Sequence, residues 1–143
     1  MRIRRFRDGD EDAVVALWVR TGIAQSQLDL HAEIREKRRR DRSLFLVAVD
    51  GAVIVGAVMG AYDGRRGWVY HLAVDPAQQR DGCGSALMEA VERAMVRIGV
   101  TKANLQVRAD NRDVIGFYER LGYAEEPRAS LAKRLPPPPS DRT

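Results

Sequence analysis

One stretch constrains this chain more than any other: His71-Leu72-Ala73-Val74-Asp75-Pro76, followed by Ala77-Gln78-Gln79-Arg80-Asp81-Gly82-Cys83-Gly84-Ser85-Ala86-Leu87. It reads as a strand, a proline stop, a glycine-containing loop and the start of a helix. The first turn of a helix carries several backbone N–H groups without partners, and the aligned peptide dipoles place about half a positive charge there. An anion fits such an end, and glycine lets the backbone come close to it. Arg80 adds a full charge at the same place. Taken alone, Gly82-x-Gly84 serves equally well as a turn that changes chain direction. It is not a P-loop, because no Gly-Lys-Ser/Thr follows, and the third glycine of a dinucleotide fingerprint would fall at Leu87.

Around this stretch the sequence supplies further helices and strands. Residues 2–7 give a first strand, with Ile3 among basic residues. Acidic residues over 8–12 suit a helix N-terminus, and Val14, Leu17, Trp18 and Thr21 follow at helical spacing. A second helix is expected over 28–40, ending in Lys37-Arg38-Arg39-Arg40, which reads as a solvated face. Residues 43–49 (SLFLVAV) are too uniformly apolar for a strand wetted on one side. Asp50-Gly51 turns the chain into a partner strand at 52–62, and Asp63-Gly64 turns it into a third at 68–74.

After the glycine loop, Leu87, Val91, Ala94 and Ile98 stripe one helix face, and Gly99 ends that helix. Ala103, Leu105 and Val107 share one face of a strand at 103–107. A helix at 111–121 turns Val114, Phe117, Tyr118 and Leu121 inward, with Gly122 as its cap, and a last strand is expected at 131–135. The result is an α/β layer fold with a mixed sheet. One domain covers residues 1–135, and four prolines at 136–139 open an extended tail over 136–143.

Composition narrows the setting rather than the chemistry. A chain of 143 residues buries enough surface to fold without a disulfide or a metal. A single cysteine allows no intrachain disulfide and fits a reducing compartment. The opening MRIRRFRDGDEDAVV is charged too early for a signal peptide, and the longest apolar run, at 53–62, is too short and glycine-broken to span a bilayer. A cytoplasmic location with no membrane partner is the expectation. The net charge of +4 favours anionic partners, which include nucleotide cofactors as well as nucleic acid. Because aromatic and basic residues do not interleave along the surface pattern, no nucleic-acid partner is expected.

The spacing Gln79-x-x-Gly82-x-Gly84, after Leu72-x-Val74-x-Pro76, resembles the coenzyme A loop of the GNAT family of N-acetyltransferases. About 30 residues later, Asn111-Arg-Asp-Val-Ile-Gly-Phe-Tyr118-Glu-Arg-Leu-Gly122-Tyr123 resembles the same family's Asn…Tyr…Gly-Phe/Tyr segment. The likeness runs from Ile3 to about Leu135. Its finer pattern, in Ser43-Leu-Phe-Leu-Val-Ala and Gly60-Ala-Tyr-Asp-Gly64, is similar to the small bacterial YpeA-type members. The resemblance implies a mostly antiparallel mixed sheet of six to seven strands flanked by about four helices. It also implies acetyl-CoA as co-substrate, no metal, an amine acceptor that is a small molecule or a peptide, and a homodimer as one assembly open to the chain.

Residue roles follow from the same resemblance. Leu72, Ala73 and Val74 would pair through their backbone with the pantetheine arm. Gln79, Arg80, Asp81, Gly82, Cys83, Gly84 and Ser85 would cradle the pyrophosphate, with the Cys83 side chain a small packed hydrophobe. Asn111 would bond the pantetheine or serve as a plain helix N-cap. Tyr118 matches the family's general acid. A free tyrosine has pKa about 10 and a thiol about 8.5, so full proton transfer to the leaving thiolate is uphill by roughly 2 kcal/mol. A short hydrogen bond is the expected role for Tyr118, against the alternative of a core aromatic.

The general base is the open position. Family members carry glutamate five residues before the Asn, where this chain has Gln106, or three residues ahead of the Leu72 position, where it has Val69. His71 remains, expected on the same strand face as Val69 and Ala73. Asp63 is the other candidate, with a simple turn as its alternative. A lysine amine of pKa about 10.4 needs a base far more than an α-amine of pKa near 8, so the missing glutamate favours an α-amine or another amine of low pKa. The same gap leaves a second class open, a coenzyme A-binding sensor or interaction domain without strong catalysis.

Overall fold

A computed structural model describes residues 1–23, 29–79 and 81–139. Its contacts group into two compact units, Met1–Arg108 and Ala109–Thr143, each described by itself. The first unit holds β1 (Arg2–Arg5), α1 (Glu11–Arg20), α2 (Leu30–Arg40), β2 (Phe45–Asp50), β3 (Val53–Tyr62), β4 (Gly67–Val74), α3 (Cys83–Arg97) and β5 (Ala103–Leu105); the second holds α4 (Arg112–Arg120). The sheet runs β1-β2-β3-β4-β5. The first four strands pair antiparallel, and β5 joins β4 in parallel.

Five strands among the described residues correct the expectation of six to seven. Residues 131–135 form no strand. Leu131 and Leu135 are 93% and 76% exposed, and two apolar residues flanking Lys133 and Arg134 offer no face to bury. The start expected for the second helix, Leu28, lies outside the described residues. No helix of the described residues is long and apolar enough to cross a membrane.

The sheet carries helices on both faces. On one, Val14, Leu17 and Trp18 of α1 and Ile34 of α2 join Phe6, Phe45, Val47, Ala57, Met59 and Ala73 in a buried cluster. Phe6 stacks on Phe45 with ring centroids 4.3 Å apart. On the other face lies α3, with Leu87, Met88, Val91, Ala94 and Met95 buried. It sits close because β3 presents glycines to it. A Cβ at Gly56 would lie 2.8 Å from Leu87 Cδ1, and one at Gly60 would lie 2.9 Å from Val91 Cγ2. The expected apolar stripe holds except at its end. Ile98 is 45% exposed because it caps the helix where Gly99, at φ +95°, turns the chain away.

The basic run of α2 is only partly solvated. The Lys37 ammonium donates to the Gly60 carbonyl and lies 3.7 Å from Asp41, and burial lowers its pKa. Arg38 pairs with Asp8 at 2.9 Å and with Glu11 at 3.4 Å. Arg39 and Arg40 pair with Glu36 on the exposed side. Thus α2, which has few apolar residues of its own, is fixed to the unit largely through ion pairs and one buried amine.

Strand β4 carries a bulge. Ala57 faces Ala73 and Met59 faces Tyr70, so His71 and Leu72 together oppose Val58 alone. His71 has φ +51°, in the left-handed region. The extra residue breaks the simple alternation expected of this strand. Val69 pairs with Gly60, on the side of α3, whereas His71 turns to α1 and α2 with Ala73. Left-handed backbone costs a residue with a Cβ about 1 kcal/mol or more. His71→Gly should therefore be more stable than His71→Ala by about 1 kcal/mol in urea denaturation, although glycine is ordinarily the weaker strand residue. Equal stabilities would show the bulge to be unstrained.

Candidate functional site

The bulge has a second effect. Strand β5 pairs with β4 only through Gly67, Trp68 and Val69, and no strand among the described residues pairs with that edge from Tyr70 to Val74. The expected strand at 103–107 therefore stops at Leu105, where its partner turns away. Leu72, Ala73 and Val74 lie on this open half-edge. Their other edge is held by β3, through Gly56 opposite Val74 and Ala57 opposite Ala73.

The turn beyond is built from the residues that the sequence singled out. Asp75 caps a short 3-10 turn over Pro76–Gln78, its carboxylate accepting from the Ala77 amide at 3.0 Å. That amide and the Arg20 guanidinium, 2.8 Å away, hold the Asp75 pKa below the usual carboxylate value. The Gln79 side chain donates to the Val74 carbonyl at 3.2 Å, and the Asp81 amide donates to the Gln78 carbonyl at 3.1 Å. Arg80 lies outside the described residues.

Gly82 is the N-cap of α3, with φ +77° and open space where a Cβ would stand. The first bond into the helix runs from the Ala86 amide to the Gly82 carbonyl at 3.0 Å. The amides of Cys83, Gly84 and Ser85 precede it in the first turn, where a helix leaves N–H groups to outside acceptors. The Cys83 side chain is fully buried and faces Gly56, whose added Cβ would lie 3.0 Å from its sulfur. Burial, with a smaller contribution from Asp81, raises the thiol pKa, as suits a packed hydrophobe rather than a nucleophile. An unpaired strand edge thus leads to a helix N-terminus, an arrangement whose backbone groups suit an extended ligand carrying an anionic group.

On the α1–α2 face, His71 Nε2 lies 2.5 Å from Glu33 Oε1 of α2, and its ring meets Trp18 edge-on with centroids 5.0 Å apart. The sequence points to His71 but not to Glu33. No motif connects two residues 38 positions apart, and the pairing depends on the bulge. Asp63 is occupied as a turn residue: its carboxylate accepts from the Arg65 and Arg66 amides at 2.8 Å each and from Trp68 Nε1 at 3.3 Å. Those bonds lower its pKa, the Arg66 amide foremost. Gln106 and Val69 supply no carboxylate. Among the described residues no group of three or more His, Cys, Asp or Glu is placed to hold a metal ion.

The second unit contains the other two residues. The Asn111 side chain accepts from the Val114 amide at 3.3 Å, so it serves as the N-cap of α4. Tyr118 packs between Phe117 and Tyr123, with centroids 5.0 and 5.8 Å away, and burial pushes its phenol pKa up to about 12. Ile115 is the buried residue of α4, whereas Val114, expected inward, is 37% exposed. Phe117, Tyr118 and Leu121, the other residues expected inward, are half-buried, so Val114 is the one departure from the expected face.

The pattern of the Acetyltransferase (GNAT) family matches residues 11–123. Among solved structures, Ard1 from Thermoplasma volcanium is similar at 27% identity and TM-score 0.75, over 86% of this chain and 82% of that one. The ribosomal-protein-S18-alanine N-acetyltransferase from Escherichia coli shares the fold at 24% identity and TM-score 0.74, over 87% and 78%. So does AAC(6')-Iy in complex with the bisubstrate analogue CoA-S-monomethyl-acetylneamine, at 15% identity and TM-score 0.80, over 94% and 97%.

Proposed function

Since this chain belongs to the acetyltransferase (GNAT) family, we propose that it transfers the acetyl group of acetyl-CoA to a primary amine by direct attack on the thioester. The observation that carries this reading is the half-open edge of β4 running to the first turn of α3. Leu72, Ala73 and Val74 would offer backbone groups to the pantetheine, and the amides of Gly82 to Ser85, with Gln79, Arg80 and Asp81 shaping the turn, would receive the pyrophosphate. Asn111 would direct its amide nitrogen to the pantetheine while its oxygen caps α4. The acceptor named for the Escherichia coli neighbour, an alanine of ribosomal protein S18, supports a peptide acceptor, and the CoA-linked acetylneamine of the AAC(6')-Iy complex supports a small molecule.

The chemistry needs little beyond positioning. The amine nitrogen forms a bond to the acetyl carbon, the carbon–sulfur bond breaks, and the amine gives up one proton while the sulfur gains one. Holding amine and thioester together supplies much of the rate. Tyr118 would donate a hydrogen bond to the departing sulfur. With its pKa at about 12 against about 8.5 for a thiol, complete proton transfer is uphill by about 5 kcal/mol, so the hydrogen bond is the role that fits. His71 is the residue proposed to receive the amine proton.

An amine panel scored by release of coenzyme A thiol tests the assignment, with α-amines of peptides expected to turn over faster than lysine side chains. Tight acetyl-CoA binding with no turnover on any amine would favour a sensor or interaction domain instead. Absence of calorimetric binding at millimolar acetyl-CoA would remove both readings. Within the cradle, Gly82→Val should weaken acetyl-CoA binding at least about tenfold, because a β-branched residue resists positive φ and its methyls would occupy the approach to the amides. Unchanged affinity would place the pyrophosphate elsewhere.

A further inference from the structure

We infer that Glu33 is a positioning residue for His71, fixing the imidazole proton on Nε2 and leaving Nδ1 as the atom that accepts a proton from the acceptor amine. This rests on the acetyltransferase reading for the identity of the amine, but the arrangement itself is a property of the first unit alone. Glu33 Oε1 stands 2.5 Å from His71 Nε2, and a carboxylate at that distance accepts a hydrogen bond. In the neutral imidazole the proton must then lie on Nε2, so the lone pair lies on Nδ1. The residue types are those of a base oriented by an acid, a pairing that recurs on unrelated folds.

Three further observations point the same way. The ring is held on its other side by the edge-on contact with the fully buried Trp18, so its orientation is set by two helices at once. Both His71 and Glu33 side chains remain partly exposed, so a substrate amine can reach the ring. The positive φ of His71 is backbone strain at one residue of a bulge, and strain of this kind persists where the surrounding structure over-determines it. Neither Gln106 nor Val69 can take a proton, so the dyad supplies a base from a different place, on the α1–α2 side of β4 rather than the α3 side that Val69 faces.

The proposed step balances as a simple relay. As the amine nitrogen bonds to the acetyl carbon and the carbon–sulfur bond breaks, the amine proton passes to His71 Nδ1. The ring becomes an imidazolium whose Nε2 proton stays hydrogen-bonded to the Glu33 carboxylate, and coenzyme A leaves as a thiolate that takes its proton from water. The imidazolium returns its proton to water before the next turnover.

The chain has two histidines, His31 and His71, so nitrogen-15 NMR of the ring nitrogens is assignable with His31→Gln as the reference. On the full chain near pH 8.5, His71 is expected as the Nε2–H tautomer. Glu33→Gln should shift His71 towards a mixture of tautomers and lower kcat at least tenfold, with KM for acetyl-CoA changed less than twofold. Glu33→Asp should recover part of both. A wild-type His71 protonated mainly on Nδ1 would overturn the proposal, as would a Glu33→Gln chain with unaltered spectrum and turnover. If Glu33→Gln fails to fold, the tautomer of the wild-type chain decides by itself. A chain with the expected tautomer but no turnover on any amine would leave the tautomer assignment standing and remove the relay, through failure of the acetyltransferase reading rather than of the dyad.

Discussion

Tyr118→Phe should lower kcat roughly ten- to a hundredfold while leaving the affinity for acetyl-CoA within about twofold. A hydrogen bond to a group that becomes charged is worth about 1.5–3 kcal/mol, and phenylalanine removes only the hydroxyl. The packing against Phe117 and Tyr123 should survive, because the ring remains. The raised phenol pKa adds a condition on pH. A group held at about 12 stays protonated, and so remains a donor, at every pH up to about 11, so no alkaline loss of activity below that range should belong to Tyr118. The measurement is steady-state kcat from pH 7 to 10.5 for both chains. Equal turnover would assign Tyr118 to packing alone, and a ratio that shrinks towards one by pH 10 would show that the phenol ionises earlier than its burial implies.

Trp18→Ala should be the most damaging single change to stability, at about 3–5 kcal/mol. Trp18 is fully buried, lies 6.4 Å from the Phe45 ring centroid and supports His71 from the side. An ordinary domain is stable by only about 5–15 kcal/mol, so the loss is a large fraction of the total. Trp18→Phe should cost markedly less. It refills most of the space, and it removes a buried indole N–H that has no hydrogen-bond partner among the described residues. Urea denaturation of the three chains separates these outcomes; a Trp18→Phe chain as unstable as Trp18→Ala would show that the indole shape, rather than buried area, holds this corner.

What could be read in advance was whatever depends on neighbours in sequence. The hairpin at Asp50-Gly51, the stop at Pro76, the glycine loop leading into α3, the buried stripe of α3 and the capping Asn111 each follow from local rules of turn, period and cap. The misses lie where distant parts of the chain decide. The tail at 131–135 has strand-like residues but no partner edge among the described residues. Lys37 reads as one more solvent-facing cation until β3 offers it the carbonyl of Gly60. Period-two alternation puts His71 on the side of Val69 because it assumes an unbroken ladder, and the inserted residue in β4 is invisible without Val58 opposite it. Glu33 carried no signal at all, since α2 is so polar that one glutamate among its charged residues stands out in no pattern.

The placement of helices on opposite sides of one sheet has a practical consequence. Trp18, Glu33 and His71 occupy one side, while Gly56, Cys83 and Leu87 pack on the other, with the backbone of β3 and β4 between them. Substitutions made on one side should therefore combine with those on the other almost additively. Under the proposed function, acceptor preference would be a property to vary on the α1–α2 surface as a separate module, with the proposed coenzyme A cradle on the far side left as it is.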